Sequence, residues 1–101
     1  MLEEIEVGAI GVRHVITWLR QNRHIDIKPD TSSPGSTDIE TDRALVHVKS
    51  VVTPNEPAEP TPDEISSIRS RASELKKDAL IAKVVINQYG SLSRAIKVSK
   101  L

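Results

Sequence analysis

The run from Ala44 to Val52, ALVHVKSVV, limits the fold of this chain more than any other stretch of its sequence. The run is short, is rich in β-branched residues and is soon followed by proline, a pattern typical of a strand. Its density of valine and leucine predicts a central strand that is covered on both faces. Such a strand needs packing elements on each side of its sheet, so the sequence favours an α/β fold.

The core that covers this strand is predicted to be thin and aliphatic. The chain has 101 residues with no Phe, one Trp and one Tyr, which favours one small domain over residues 1–101. The lack of cysteine excludes disulfides and thiolate metal sites. The sequence contains no signal peptide and no apolar run approaching roughly 18 residues, so we expect a cytoplasmic protein with no membrane partner.

A first helix is predicted over residues 2–21, where apolar residues recur at spacings of three and four. Gly8 and Gly11 each weaken this helix by roughly 1 kcal/mol relative to alanine, and we interpret them as positions where another backbone comes close. The stripe that is predicted to be buried consists of Ile5, Ala9, Val12, Ile16 and Leu19.

Three strands are predicted to follow, over residues 24–28, 36–40 and 44–52, with a loop at 29–35 and a reversal at Asp42-Arg43. The first has Ile25 and Ile27 on one face, as in a half-buried strand. Residues 52–62 carry four prolines, so they cannot form a helix or an inner strand and are predicted to be an exposed loop.

A second helix is predicted to begin cleanly, because Thr61, Pro62 and Glu64 suit the N-cap, N1 and N3 positions of a capping box. An apolar strand over 80–87 and an edge strand over 92–98 complete the chain. The predicted order is therefore α-β-β-β-α-β-β, a mixed sheet flanked by two helices with an extra C-terminal edge strand.

Four polar residues are predicted to converge where the second and third strands pair. Asp38 and Glu40 share one face of a strand because they are two residues apart, and His47 and Lys49 share a face of the next. If the strands form a hairpin, these side chains meet on one patch.

Net charge is balanced overall, with 14 Lys+Arg and 14 Asp+Glu, so composition alone does not indicate a nucleic-acid binder. From Glu64 onwards, however, eight basic residues accompany three acidic ones. Basic residues on and after the second helix could contact phosphate or could form an ordinary solvated face. The candidates for nucleic-acid binding are Arg69, Arg71, Lys76 and Lys77.

With these elements in order, the chain resembles the PD-(D/E)XK nuclease superfamily, whose members share an αβββαβ core. Members carry an Asp at the start of the second strand and a (D/E/Q)-x-K sequence at the end of the third. The corresponding segments here are Pro34-Gly35-Ser36-Thr37-Asp38 and His47-Val48-Lys49. The resemblance covers nearly the whole chain in element order and implies a restriction-endonuclease-like fold similar to that of Holliday-junction resolvases.

The resemblance also implies a metal-dependent nuclease that acts on DNA. A divalent cation, Mg²⁺ or Mn²⁺, neutralises charge on the phosphate and lowers the pKa of the attacking water. The family pattern makes Asp38 a metal ligand and Lys49 the catalytic lysine. Glu40, on the face of Asp38, and His47, two residues before the lysine, complete the expected ligand and catalytic sets.

Two positions depart from the family pattern. His47 stands where the family has Glu, Asp or Gln, and imidazole suits Mn²⁺ better than Mg²⁺. Val12 falls where resolvase-like members carry a Glu on the first helix. Two rival hypotheses therefore stay open: a catalytically inactive module that binds nucleic acid or protein, and an α/β domain of unrelated role. If the chain binds DNA, we expect a homodimer that pools two basic faces.

Overall fold

One mixed sheet with a helix on each face makes up the structure, a computed structural model that describes residues 1–30 and 36–101. This arrangement confirms the predicted α/β class, and the elements follow one another in the predicted order. In the described residues they are α1 (Glu4–Gln21), β1 (Lys28–Pro29), β2 (Asp38–Glu40), β3 (Ala44–Val52), α2 (Pro62–Leu75), β4 (Asp78–Ile86) and β5 (Lys97–Lys100).

The strands lie side by side in chain order, with β3 at the centre. β2 is antiparallel to β1 and β3, β4 is parallel to β3, and β5 is antiparallel to β4. Two parallel neighbours cannot be joined by a tight turn, so the chain crosses from β3 to β4 through residues 53–61 and α2. The central strand predicted over residues 44–52 is confirmed with the same bounds.

The larger part of the core lies between α1 and the sheet. The predicted stripe on α1 is confirmed at Leu19, which is buried, and at Val12 and Ile16, which are half-buried against the core, but it is wrong at Ile5 and Ala9, which are exposed. Val7, Gly11 and Val15 are buried there together with Leu19, whereas Ile5 is 70% exposed. Gly11 explains the difference, because a Cβ at that position would lie 1.7 Å from Ser50 Oγ on β3. Gly11 thus faces the sheet, and its close neighbour is the Ser50 side chain and not another backbone as predicted.

A smaller apolar cluster lies on the opposite face, under α2. It consists of Leu45, Ile68, Ala72 and Ala79. The helix begins as predicted: Thr61 Oγ1 accepts a hydrogen bond from the Glu64 amide, and Glu64 Oε1 accepts one from the Thr61 amide. α2 packs over both β3 and β4 through this cluster, and polar side chains of β3 lie beside it on the same face.

Three predicted strands are shorter than expected. The strand predicted over residues 36–40 begins only at Asp38. Residues 24–28 pair only at Lys28, because Arg23 and Asp26 adopt positive φ angles of 65° and 51° that break the extended chain. The edge strand begins at Lys97 rather than at residue 92. The Asn87 side chain accepts hydrogen bonds from the amides of Tyr89 and Ser91, which folds the preceding segment into a turn.

The proline-rich segment has neither helix nor strand over residues 55–61, in agreement with the prediction. Five residues of the predicted loop at 29–35, numbers 31–35, lie outside the described residues, and so do Pro34 and Gly35 of the motif. No described helix has the length and apolar character needed to span a bilayer.

Candidate active site

The pairing of β2 with β3 places Asp38 directly opposite His47. Partners in antiparallel strands point to the same face, and residues two apart on one strand do so too. Asp38, Glu40, His47 and Lys49 therefore all lie on the α2 face of the sheet. The sequence predicted this common face.

Asp38 is held by two basic groups. His47 Nδ1 lies 2.7 Å from Asp38 Oδ1, and Arg71 Nη1 on α2 lies 2.6 Å from Oδ2. Burial favours the neutral acid, but the hydrogen bonds from His47 and Arg71 outweigh it and hold the pKa of Asp38 below its ordinary value. The residue is 9% exposed and is an anion at neutral pH.

Glu64 brings a second carboxylate to the same patch. Lys49 Nζ donates to Glu64 Oε1 at 3.2 Å, and His47 Nε2 lies 3.4 Å from Oε2. The backbone amide of Thr61 and then the Lys49 ammonium lower the pKa of Glu64 to about 2. We call Asp38, His47, Lys49, Glu64 and Arg71 the Asp38 cluster.

Glu64 is the member of the cluster that the sequence did not predict as a site residue. Its position at the third residue of α2 predicted only a helix cap. A signal was present in retrospect, because the N-terminal turn of a crossover helix lies close to the end of the strand that precedes it. The packing of α2 on β3 makes this end the carboxyl half of β3, where Lys49 lies.

Glu40, a predicted metal ligand, is directed to a different partner. Lys77 Nζ lies 2.7 Å from Glu40 Oε2 and also donates to the backbone carbonyl of Thr41 at 2.7 Å. Glu40 and Asp38 nevertheless border the same cleft beside β1, together with Arg71.

The four predicted phosphate-binding residues divide into two pairs. Arg71 and Lys77 are engaged with Asp38 and Glu40, so their charge is largely neutralised within the protein. Arg69 and Lys76 are exposed on and at the end of α2. Lys76 caps the helix with a left-handed conformation, at a φ angle of 57°.

Val12 lies far from this chemistry. It packs against the apolar core between α1 and the sheet, on the face opposite to the Asp38 cluster. A carboxylate at this half-buried position would lie against aliphatic side chains. The helix position that the resemblance assigns to a family Glu is therefore remote from the Asp38 cluster.

The donor set of the cluster matches a divalent cation in chemistry but does not form a finished site. Two ionised carboxylates and one imidazole suit Mn²⁺ or Zn²⁺ better than Mg²⁺. Among residues 1–30 and 36–101, however, no three His, Asp or Glu side chains are grouped closely enough to hold a metal ion as they stand. Asp38 and Glu64 contact opposite nitrogens of the same imidazole, which keeps them apart.

A shallow cleft of about 320 Å³ opens over the cluster. It is lined by Asp38, His47, Glu64 and Arg71 together with Asp63, Ser67 and Ile68.

Comparison with known proteins adds nothing to this geometry. No protein family, no curated protein and no solved structure matches the chain. The resemblance to the PD-(D/E)XK superfamily thus depends on the motif residues and on the order of helices and strands, and it stays a prediction from the sequence.

Proposed function

We propose that this chain is a metal-dependent nuclease-like domain with a restriction-endonuclease-like fold, which acts on DNA phosphodiesters at the Asp38 cluster. The observation that carries the proposal is the register Asp38↔His47, which puts the acid and Lys49 on the same face of the sheet. Had the two side chains lain on opposite faces, no single phosphate could reach both.

The residues of the cluster have distinct roles in this proposal. Asp38 and Glu64, both kept ionised, are the anionic ligands available to a cation, and His47 offers an imidazole nitrogen. A bound divalent cation would supply charge neutralisation at the phosphate and a more acidic water. Lys49, whose ammonium donates to Glu64 in the cluster, orients the attacking water or stabilises the negative charge that develops on the phosphate.

A cleavage assay with a lysine variant tests the proposal. Supercoiled and branched DNA are incubated with Mg²⁺ or with Mn²⁺, for the parent chain and for Lys49→Ala. We expect faster cleavage with Mn²⁺, because an imidazole belongs to the ligand set. Loss of one charge-stabilising group from a site typically costs about 10²–10³ in rate, so Lys49→Ala should lower cleavage by that factor.

Lys100→Ala is the matched control. Lys100 is a solvent-exposed lysine on β5 whose partner is Asp78, outside the Asp38 cluster. This variant should cleave at the parental rate. Equal cleavage by the parent and Lys49→Ala would contradict the proposed role of the cluster, and so would a parent that cuts neither substrate with either metal.

A second function, an inactive nuclease-fold module that binds nucleic acid or protein, is favoured by one observation. Both oxygens of Asp38 already contact a basic group, one His47 and one Arg71, so a cation at Asp38 would compete with these two groups for its negative charge. DNA binding that needs no metal and leads to no cleavage would support this alternative.

A further inference from the structure

Three lysines lie in one row across the sheet, on the α2 face. Lys49 on β3 is the register partner of Lys83 on β4, and Lys83 is the register partner of Lys97 on β5. Direct partners project from the same face, and neighbouring strands are about 4.8 Å apart. We call Lys49, Lys83 and Lys97 the lysine row. It extends from the Asp38 cluster to the edge of the sheet.

Such a row is costly without an anion. Like charges directly opposite one another on adjacent strands destabilise a sheet, and here the arrangement occurs twice in succession. Lys49 and Lys83 are also only 18% and 21% exposed in their side chains, which reduces screening by water. Glu64 already pairs with Lys49, so the electrostatics of the sheet favour a further negatively charged group over Lys83 and Lys97.

In the free protein the proline-rich segment supplies that charge. Residues 53–61, which we call the acidic strap, contain two acidic residues and no basic one. Glu59 forms an ion pair with Lys83. Glu56 binds Arg94 through two hydrogen bonds, of 3.0 and 2.6 Å. Arg94 precedes β5, so the strap crosses from the middle of the sheet towards its edge.

The strap carries its two carboxylates on an extended chain. A proline-rich chain in extended form rises about 3.1 Å per residue, so Glu56 and Glu59 can stand about 9 Å apart. Their partners lie on neighbouring parts of the sheet, Lys83 on β4 and Arg94 just before β5. Backbone phosphates repeat along a nucleic-acid strand in a comparable way, as negative charges on an extended, flexible chain.

The whole row acts on the strap. The hydrogen bond from Lys83 lowers the pKa of Glu59 below its ordinary value, and the nearby charges of Lys83, Lys49 and Lys97 lower it further. The carboxylates lie outermost, because the side chains of Glu56 and Glu59 are 70% and 81% exposed. The strap is thus a surface layer that can be lifted without opening the core.

We propose that the lysine row and Arg94 form a binding site for the phosphodiester backbone of nucleic acid, and that the acidic strap occupies this site until nucleic acid displaces it. The choice of nucleic acid as the ligand rests on the proposed function, because the row begins at Lys49. The row differs from the basic residues of α2 predicted from the sequence, two of which are engaged in ion pairs.

Removal of the strap's charge tests the proposal. The double variant Glu56→Gln with Glu59→Gln keeps the size of both exposed side chains and frees Arg94 and Lys83. Binding of a fluorescein-labelled 20-base-pair duplex and of a single strand is measured by anisotropy over a range of salt concentrations. We expect at least roughly fivefold tighter binding than for the parent, the lower end of typical coupling between two competing ligands.

The matched control has the same change in net charge at other exposed positions. Glu4→Gln with Glu74→Gln alters the N-terminal turn of α1 and the outer face of α2, away from the row. It measures the effect of overall charge alone. The gain in DNA affinity must be larger for the strap variant than for this control if the strap specifically masks the row.

Removal of the row itself should have the opposite effect. Lys83→Gln with Lys97→Gln removes two phosphate contacts, so affinity should fall and the slope of log K against log salt should become shallower by about 1.4 to 1.8. Lys49 is left in place, so DNA cleavage can be followed separately in every variant.

The outcomes separate this inference from the proposed function. If the parent cleaves DNA but the strap variant binds no tighter than the control, the masking is wrong and the nuclease proposal survives. If no variant cleaves but the strap variant binds more tightly and the row variant more weakly, the phosphate site stands and catalysis does not. If neither the parent nor the strap variant binds at low salt, the site is overturned.

Discussion

Thr41 is the buried hydroxyl on which the turn between β2 and β3 depends. Its Oγ1 accepts hydrogen bonds from the amides of Arg43 and Ala44, at 3.2 and 3.1 Å. A hydroxyl has two acceptor sites and one donor, so its hydrogen is left for His24 Nδ1, 2.9 Å away. This contact requires that Nδ1 of His24 carry no proton.

We therefore expect the protein to lose stability as the pH falls below about 6.5, the ordinary pKa of histidine. Burial and then the nearby charge of Arg43 lower the pKa of His24, while Asp42 opposes them. A lowered pKa means that the unfolded chain binds the proton first. The contribution of His24 is thus complete above 6.5 and is lost as the pH falls through the lowered value. Urea unfolding at pH 7.5 and 5.5 measures the loss.

His24→Gln should flatten this pH dependence, since glutamine does not titrate. His14→Gln serves as the comparison: His14 contacts the carbonyl of Gly90 on the other side of α1 and should leave the fall in stability unchanged. An identical fall in parent and His24→Gln would show that another group is responsible.

For individual residues, the sequence predicts only those contacts that follow from the alternation of side chains along paired strands. Asp38 opposite His47 follows from strand alternation, and it is found. The contacts of Asp38 with Arg71 and of Lys49 with Glu64 join residues 33 and 15 positions apart, on different kinds of element. Periodicity carries no information about such distances, so the ion pairs that complete the cluster could not be predicted.

At the scale of elements, Gly11 decides how closely α1 packs on the sheet, because it has no side chain. We predict that Gly11→Ala destabilises the protein by about 1–3 kcal/mol, the usual cost of overpacking a core. Its Cβ would lie 1.7 Å from Ser50 Oγ and 2.8 Å from Ser50 Cβ, so the helix or the strand must move. Urea unfolding monitored by circular dichroism gives the change in the free energy of unfolding.

Gly8→Ala is the control on the same helix. Among residues 1–30 and 36–101 its Cβ would meet only the Thr37 methyl group, at 3.3 Å, and alanine improves helix propensity, so stability should change by less than about 1 kcal/mol. Ser50→Gly added to Gly11→Ala should restore most of the loss, because it removes both clashing atoms. A Gly11→Ala variant as stable as the parent would disprove the close contact.

Elements with one dominant pattern were predicted well, and elements decided by backbone conformation were not. Ala44–Val52 and the capped start of α2 are found as expected because β-branched density and the capping box are local signals. The stripe on α1 was predicted from apolar side chains alone. It therefore missed Gly11, which is buried because its lack of a side chain lets the helix approach the sheet. The strand expected at 24–28 is interrupted at Asp26, and the positive φ angle of this residue cannot be predicted from composition.

The whole molecule is small for the DNA-directed function that we propose, with extents of 38 × 29 × 24 Å and a formal net charge of +0. Its ion pairs neutralise much of the basic surface, so one copy offers few phosphate contacts. We therefore predict that two copies bind together on DNA. Sedimentation equilibrium with a short duplex should give a complex that contains twice the 11.1 kDa chain. A one-to-one complex at protein excess would contradict this.

One oxygen of Glu64 accepts two hydrogen bonds that serve different parts of the structure. Its Oε1 accepts hydrogen bonds both from the Thr61 amide that starts α2 and from the Lys49 ammonium, at 3.1 and 3.2 Å. A ligand that draws Oε1 into the cleft takes it from the Thr61 amide, and the start of α2 is then held by the Thr61 side-chain cap alone. Binding in the cleft through Oε1 therefore weakens the start of α2, which directly follows the acidic strap in the chain.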